Sequence, residues 1–435
     1  MHSAGSVRLS DVADIRSSNV DKLSVEGELD VQLCNYMDVY SNERITSSID
    51  FMRATATPVE CARFRVERGD VLMTKDSETP DDIGVPAVVT EDIPGLVCGY
   101  HLALLKPDAA KVDPGYLSKW IGSTEAAAYF ARVATGSTRF GLTYSAIANT
   151  PVRLPPLVQQ RRAAEVLFLL DEAIEHTESM IAKTQQIKAG LMHDLFTRGV
   201  TADGQLRPPR EDAPEFYEDS PLGWVPRGWS APRLESLLAE TAVPMRSGPF
   251  GSALLKEELV ESGIPLLGID NVHPEKFVPT YRRFVPLRKF AELRRYAVFP
   301  GDVIITIMGT VGRCCVYPGD AGPALSSKHL WTMTFDQSQV LPELVCWQLG
   351  FSAWVRTWFL RHSQGGVMEA IQSSTLRNVR LRVPPLPEQE RIRERYMSLN
   401  ALLHAEERSL GKLRRRRAGL MHDLLSGSVR VSEAV

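Results

Sequence analysis

The seven residues AGLMHDL occur twice, at 189–195 and at 418–424. Sliding the chain against itself by the 229 positions between them extends the match backward without a gap. LPPLVQQRRAAEVLFLLDEAIEHTESMIAKTQQIKAGLMHDL (154–195) falls on VPPLPEQERIRERYMSLNALLHAEERSLGKLRRRRAGLMHDL (383–424), and Gly136 falls on Gly365. With small shifts, ERGDVLMT (67–74) pairs with FPGDVIIT (299–306), YHLALLKPD (100–108) with KHLWTMTFD (328–336), and VQLCNYMDV (31–39) with IPLLGIDNV (264–272). A period this long describes two copies of one domain plus one helix, not a solenoid of short units. The helical ends match closely and the front halves only in scaffold. Two copies thus need the same helix for the same job, while their front domains have drifted apart.

The helical ends carry the spacing of a coiled-coil seam. Ile392, Tyr396, Leu399, Leu403, Glu406, Leu410, Leu413, Arg417, Leu420 and Leu424 follow one another at four- and three-residue steps, and eight of the ten are apolar. The first copy gives Ala163, Leu167, Leu170, Ile174, Thr177, Ile181, Thr184, Lys188, Leu191 and Leu195 in the same register. Polar breaks coincide, Thr177 with Glu406 and Lys188 with Arg417; such breaks fix register and orientation. Each helix follows a Pro-Pro and stops near a glycine, Gly199 or Gly427. Glu388 and Glu390 suit the positive N-terminal end of the second helix. A helix from Gln159 to Phe196 would be about 57 Å long. Two such helices, one per copy, are expected to pack antiparallel, because duplicated halves tend to pair isologously. A helical hairpin in an adaptor protein is the other reading of this pattern.

A chain of 435 residues calls for two or three domains, and 44% hydrophobic with 24% charged residues suits a globular protein. No apolar run is long enough to cross a membrane, the first residues lack a signal-peptide pattern, and the cytoplasm is the expected compartment. A net charge of −3 argues against a protein that coats nucleic acid through bulk positive charge, without excluding local basic patches or a basic partner. The six cysteines form no C-x-x-C pair and read as buried, reduced thiols. No G-x-G-x-x-G, P-loop or H-E-x-x-H is present. LPPL and VPPL lack the flanking Asn or Asp and aromatic of an amino-methyltransferase signature. Neighbours on a helix point to different faces, so His193–Asp194 and His422–Asp423 chelate poorly and no metal site is expected. KLRRRR (412–417) reads either as a phosphate contact or as a solvated helix end that suits the negative C-terminal dipole.

Between the copies, TADGQLRPPREDAPEFYEDSPLGWVPRGW (201–229) reads as an extended Pro-rich acidic connector rather than a folded element. In the front domains, HLWTMTF predicts a half-buried strand with Trp331, Met333 and Phe335 on one face, and GDVLMT and GDVIITI predict further strands. Residues 114–134 and 342–362 predict helices opened by Pro. Each unit is therefore α+β.

VPPLPEQERI (383–392), its partner LPPLVQQRRA (154–163), the ends GLMHDLLSGSVRV (419–431) and GLMHDLFTRGV (190–200), and PLGWVPRGW (221–229) resemble the specificity (S) subunit of type I restriction-modification systems over essentially the whole chain. The first copy departs from the motif, with Gln159 where the second has Glu388, which puts a capping contact in doubt. The resemblance implies an α+β protein with target recognition domains at 1–157 and 229–386. Spacer helices at 158–200 and 387–427 would form an antiparallel coiled coil, with a linker at 201–228 and a tail at 428–435. It implies a non-catalytic subunit that reads a bipartite double-stranded DNA site, one half per domain, with helices that set the spacing and dock the methyltransferase subunits. Two modification (M) subunits and restriction (R) subunits are the implied partners, and no membrane. No cofactor is expected on this chain; S-adenosylmethionine, ATP and Mg are expected on the partners. Half-sites read from one side of DNA lie about 34 Å apart, a span two overlapping helices can bridge. The expected seam is Leu167, Leu170, Ile174, Ile181, Leu191 and Leu195 against Tyr396, Leu399, Leu403, Leu410, Leu413, Leu420 and Leu424. Candidate DNA contacts are Lys75, Ser137, Thr138 and Arg139 in the first domain and Arg246, Ser247, Lys256, Lys328 and Gln364 in the second, since Arg suits guanine and Gln adenine. Plain surface exposure is the other reading for each of them. The competing functions are a coiled-coil adaptor that binds only proteins and an enzyme fused to a recognition module.

Overall fold

VLMT and VIIT, which close the two matched GDV segments, are central strands of two separate sheets. The computed structural model describes residues 6–362 and 371–429. The chain divides into one unit formed by Met1–Met180 with Glu406–Val435 and a second formed by Ile181–Ala405.

In the first unit, β1 (Ala13–Ser17), β2 (Leu29–Cys34), β3 (Arg44–Ile45), β4 (Met52–Ala56), β5 (Val71–Thr74), β6 (Asp76–Ser77), β7 (Pro86–Val89), β8 (Leu96–Cys98), β9 (Leu102–Pro107) and β10 (Phe140–Gly141) build the front domain. A five-stranded sheet has the order β1-β9-β5-β7-β3, and a three-stranded one the order β4-β2-β8. Val71, Met73, Ala103 and Leu105 enter one core, while Leu72, Leu102 and Leu104 enter another. With both faces covered, the strands read as unbroken apolar runs rather than as alternation. The first core also holds α1 (Pro114–Ile121) and α2 (Thr124–Val133). Pro114 opens α1, and the Asp113 carboxylate accepts from Tyr116 N at 2.9 Å. Ala163, Ala164 and Leu167 of α3 (Leu157–Thr197) pack into this core with Leu424 and Leu425.

The second unit contains β11 (Met245–Ser247), β12 (Ile264–Leu267), β13 (Phe284–Val285), β14 (Ala297–Val298), β15 (Val303–Thr306), β16 (Cys314–Val316), β17 (Ala324–Ser326) and β18 (Leu330–Met333). Its sheets run β11-β18-β15-β16 and β13-β12-β17-β14. The first repeats the order β1-β9-β5-β7. The second repeats β4-β2-β8, with an antiparallel and a parallel neighbour on the middle strand in both units. Val303, Ile305 and Met333 face one core, Ile304 and Leu330 another. Behind the sheet lie α4 (Pro342–Phe351) and α5 (Ala353–His362), followed by α6 (Leu386–Ser426). Both α3 and α6 have 41 residues, about 62 Å each. Neither is long and apolar enough to cross a membrane, nor is any other helix among the described residues.

Three expectations change. The Pro-opened helices are each two helices: Ser123 caps α2 by accepting from Ala126 N at 3.2 Å, and Ser352 separates α4 from α5. HLWTMTF is buried on both faces, since Thr332 is fully enclosed and donates to Ser326 Oγ at 3.1 Å. The connector is not structureless. Tyr217–Glu218 pairs with Val225–Pro226 as a short hairpin, with Tyr217 and Val225 buried, because its aromatic and apolar residues find a core that its Pro-rich composition does not advertise.

Candidate nucleic-acid interface

A shared framework holds both front domains. In each, the Thr that ends the central strand accepts a backbone N–H through its hydroxyl: Thr74 from Val85 and Thr306 from Arg313, both at 3.0 Å. In each, a Gly-Asp turn precedes that strand. Gly69 and Gly301 sit at φ 91° and 88°, the left-handed region that glycine tolerates. Asp70 accepts from Glu67 N and Asp302 from Phe299 N, both at 2.8 Å.

The junction with the long helices is also duplicated, through a residue the sequence reading passed over. Gln160 is buried at the start of α3; it accepts from Asp113 N at 2.9 Å and donates to the carbonyls of Pro155 (2.8 Å) and Lys111 (3.2 Å). Gln389 does the same in α6, with Leu341 N, Pro384 O and Gln339 O, all at 2.8 Å. The PPL-x-x-Q spelling was visible in both copies, but glutamine on a helix reads as a surface residue until its partners are known. Glu388 does not cap its own helix. It is buried and accepts from Val200 N (2.8 Å), Trp229 Nε1 (3.1 Å) and Arg207 Nη2 (2.9 Å), so it fastens the connector.

Polar seam positions meet charge in both units. In the first, Arg417 binds Asp171 and Glu43, and the enclosed Lys119 ammonium binds the same two carboxylates. Burial pushes the Asp171 carboxyl up, but Lys119 and Arg417 outweigh it and hold the group below the usual carboxylate range. In the second, Lys188 binds Glu275 at 2.7 Å and Asn400 at 2.9 Å, while Tyr396 donates to Glu275. Two equivalent arginines close the helix ends: Arg153 donates to Ser426 O at 3.3 Å within the first unit, and Arg382 to Phe196 O at 2.8 Å within the second. Leu167, Ile174, Leu195, Tyr396, Leu403 and Leu424 are buried. Leu170, Ile181, Leu191, Leu399, Leu410, Leu413 and Leu420 are half-buried, and none of the twenty positions in the seam register is exposed. In the basic run, Arg414 pairs with Glu178 at 2.6 Å, whereas Lys412, Arg415 and Arg416 are exposed. No cluster of metal-ligating side chains occurs among the described residues.

The candidate DNA contacts separate. Ser137, Thr138 and Arg139 are exposed on one loop, and Lys75 lies beside its base, where Leu142 N donates to Lys75 O at 2.8 Å. The pairing of β6 with β10 brings these four to one edge. Lys256 and Lys328 are exposed; Gln364 lies outside the described residues. Arg246 and Ser247 must be withdrawn. Both lie on β11 and are enclosed; Arg246 is bound by Asp302, by Ala297 O at 2.6 Å and by Thr334 Oγ1 at 2.9 Å. Its charge is spent on a carboxylate 56 residues away, where no base can reach it. The same Arg-Ser pair recurs as Arg16-Ser17 on β1, the matching strand, but there the arginine is only half-buried and pairs with Asp14 beside it, so the spelling alone did not mark Arg246 as enclosed.

No family model matches the chain. It is 22% identical over 386 residues to the putative type I restriction enzyme MjaX specificity subunit of Methanocaldococcus jannaschii, covering 86% of this chain and 81% of that protein. It is 21% identical over 319 residues to the type I restriction enzyme EcoBI specificity subunit of Escherichia coli, covering 73% and 63%. Among solved structures, the S subunit of a type I restriction-modification system from M. genitalium superposes with a TM-score of 0.57 at 12% identity, over 97% of this chain and 95% of that one. A chain from a structure concerned with complex assembly and conformational transition of the type I R-M system gives 0.52 at 18% identity, over 98% of both. In sequence, the chain is thus similar over most of its length to type I restriction enzyme specificity subunits, and it shares the fold of type I S subunits.

Proposed function

We propose that this chain is the DNA sequence-specificity subunit of a type I restriction-modification complex. Each front domain reads one half of a bipartite double-stranded site, and the chain performs no catalysis itself. The observation that carries this reading is one framework built twice, with identical fastenings at Thr74 and Thr306, at Asp70 and Asp302, and at Gln160 and Gln389, in a chain whose relatives bear that name. Base contacts specify while scaffold contacts only position, so duplicated reading modules keep their frame and change their corners.

The two long helices act as an antiparallel coiled-coil spacer between recognition domains at 1–157 and 229–386. Supporting this, partners run in opposite directions within each unit. Asp171 meets Arg417 and Glu178 meets Arg414 in the first; Lys188 meets Asn400 and Val200 meets Glu388 in the second. The matched helix ends are docking sites for two methyltransferase (M) subunits, which bring S-adenosylmethionine. R subunits bring ATP and Mg chemistry, and the complex works in the cytoplasm. The test is to express the chain with its methyltransferase partner and map methylated positions genome-wide. A bipartite motif with a fixed unread gap is the expected result. Association with the partner without sequence-selective methylation or DNA retention would instead identify a protein-only adaptor. Arg139→Ala is expected to weaken cognate binding by about 1–3 kcal/mol.

A further inference from the structure

The duplicated framework makes the residues that follow the two central strands comparable one by one. In the first unit Lys75 N donates to His101 O at 3.0 Å; in the second Ile307 N donates to His329 O at 3.0 Å. Asp76 therefore corresponds to Met308, and Tyr100, just before the shared histidine, to Lys328. The backbone is held alike, but the chemistry it presents is opposite. In the first unit Asp76 Oδ2 pairs with His101 Nδ1 at 3.0 Å, and its side chain is 38% exposed. Tyr100 stands half exposed against the His101 ring, with the Lys75 ammonium 4.9 Å from its own ring centre. The exposed loop carrying Arg139 leads into the strand paired to Asp76. In the second unit the corresponding corner offers the exposed thioether of Met308 and the exposed ammonium of Lys328. Burial, then Lys328 and Arg283, hold the His329 imidazole below its usual range. The nearby carboxylate of Asp270 is engaged by Arg283 at 3.5 Å.

A carboxylate on a DNA-facing edge is repelled by every phosphate, and gains an attractive partner only at an exocyclic amine in the major groove. An ammonium with an apolar neighbour finds its base partners at guanine O6 and N7, and the thioether sits against an apolar edge such as the thymine methyl. We infer that the two corners read bases of opposite hydrogen-bonding sense: Asp76 selects an amine-bearing base, cytosine or adenine, in one half-site, and Lys328 selects guanine in the other. The inference rests on the DNA-specificity reading above.

The test uses the complex with its methyltransferase partner, genome-wide methylation mapping, and titration of short duplexes carrying the mapped motif or single-base changes. Asp76→Asn is expected to relax or change one position in one half-site by about tenfold, leaving the other half intact. Lys328→Ala is expected to relax one guanine position in the opposite half. Lys328 is exposed, so its removal leaves the fold in place even if Asp76→Asn disturbs the His101 pair. If both variants keep the motif and the relative affinities within about twofold, or if either one relaxes both halves, the inference is overturned while the function stands. A wild-type complex that yields no bipartite motif sinks the function and the inference together.

Discussion

The polar joint of the long helices in the first unit and its counterpart in the second are built around matching helix positions, Arg417 and Lys188, with different chemistry. Asp171, Arg417, Glu43 and Lys119 form a network of four charges around one seam position. Its counterpart uses Lys188, Asn400, Glu275 and the Tyr396 hydroxyl. The place of the polar break is thus what the duplication has kept, and the number of charges has been free to change. A buried charge left without its partner costs far more than a lost neutral hydrogen bond, so the two joints should fail very differently. Asp171→Ala leaves the enclosed Lys119 with one remaining carboxylate and is expected to cost about 3–5 kcal/mol. Asn400→Ala, whose partner Lys188 keeps Glu275, is expected to cost about 1 kcal/mol. Urea unfolding of each variant measures both, and equal losses would break the contrast.

Where the two units are alike, the losses should be alike. Gln160 and Gln389 each make three hydrogen bonds in burial, and replacing either by alanine orphans one backbone N–H and two carbonyls. Each is expected to cost about 2 kcal/mol, and a marked inequality in the same unfolding experiment would show that the junctions are not equivalent.

Acid sharpens the contrast again. Asp171 is held below the usual carboxylate range, so it binds fewer protons folded than unfolded. Its stabilising contribution is complete above the ordinary carboxylate pKa and is lost as pH falls through the depressed one. Stability measured from neutral pH downward should therefore drop less steeply in Asp171→Asn than in the natural chain. Asn400 titrates in neither state, so Asn400→Ala should leave that slope as it is.

What the sequence disclosed follows from the range of each interaction. The helical pattern is local, and every position in the expected seam register lies at least half covered. The strands VLMT and VIIT were legible as apolar runs, yet their coverage on both faces depends on Leu72 and Ile304 meeting cores assembled from distant segments. Arg246 misled because its neutralising partner, Asp302, is 56 residues away, and an arginine in isolation reads as surface. Gln160 and Gln389 went unread for the converse reason: a polar helix residue declares its burial only through carbonyls it reaches elsewhere. Lys75 and Arg139 share an edge because β6 pairs with β10, Ser77 with Phe140 and Asp76 with Gly141, a contact between segments more than 60 residues apart.

The smallest expected effect concerns the repeated heptapeptide itself. Gly190 and Gly419 lie inside the long helices, where glycine costs about 1 kcal/mol relative to alanine through the freedom it loses on folding. A Cβ built on either would meet nothing within 4 Å, and neither has a positive φ. Nothing among the described residues therefore asks for glycine at these positions, in contrast to Gly69 and Gly301 in the front-domain turns. Gly190→Ala and Gly419→Ala are each expected to raise the stability of the free chain by about 0.5–1 kcal/mol, and the double variant by the sum, since the two sites share no partner. Thermal unfolding of the three variants measures the gain. A loss at one site with a gain at the other would mean that the two helices, though spelled alike here, do not meet the same surroundings.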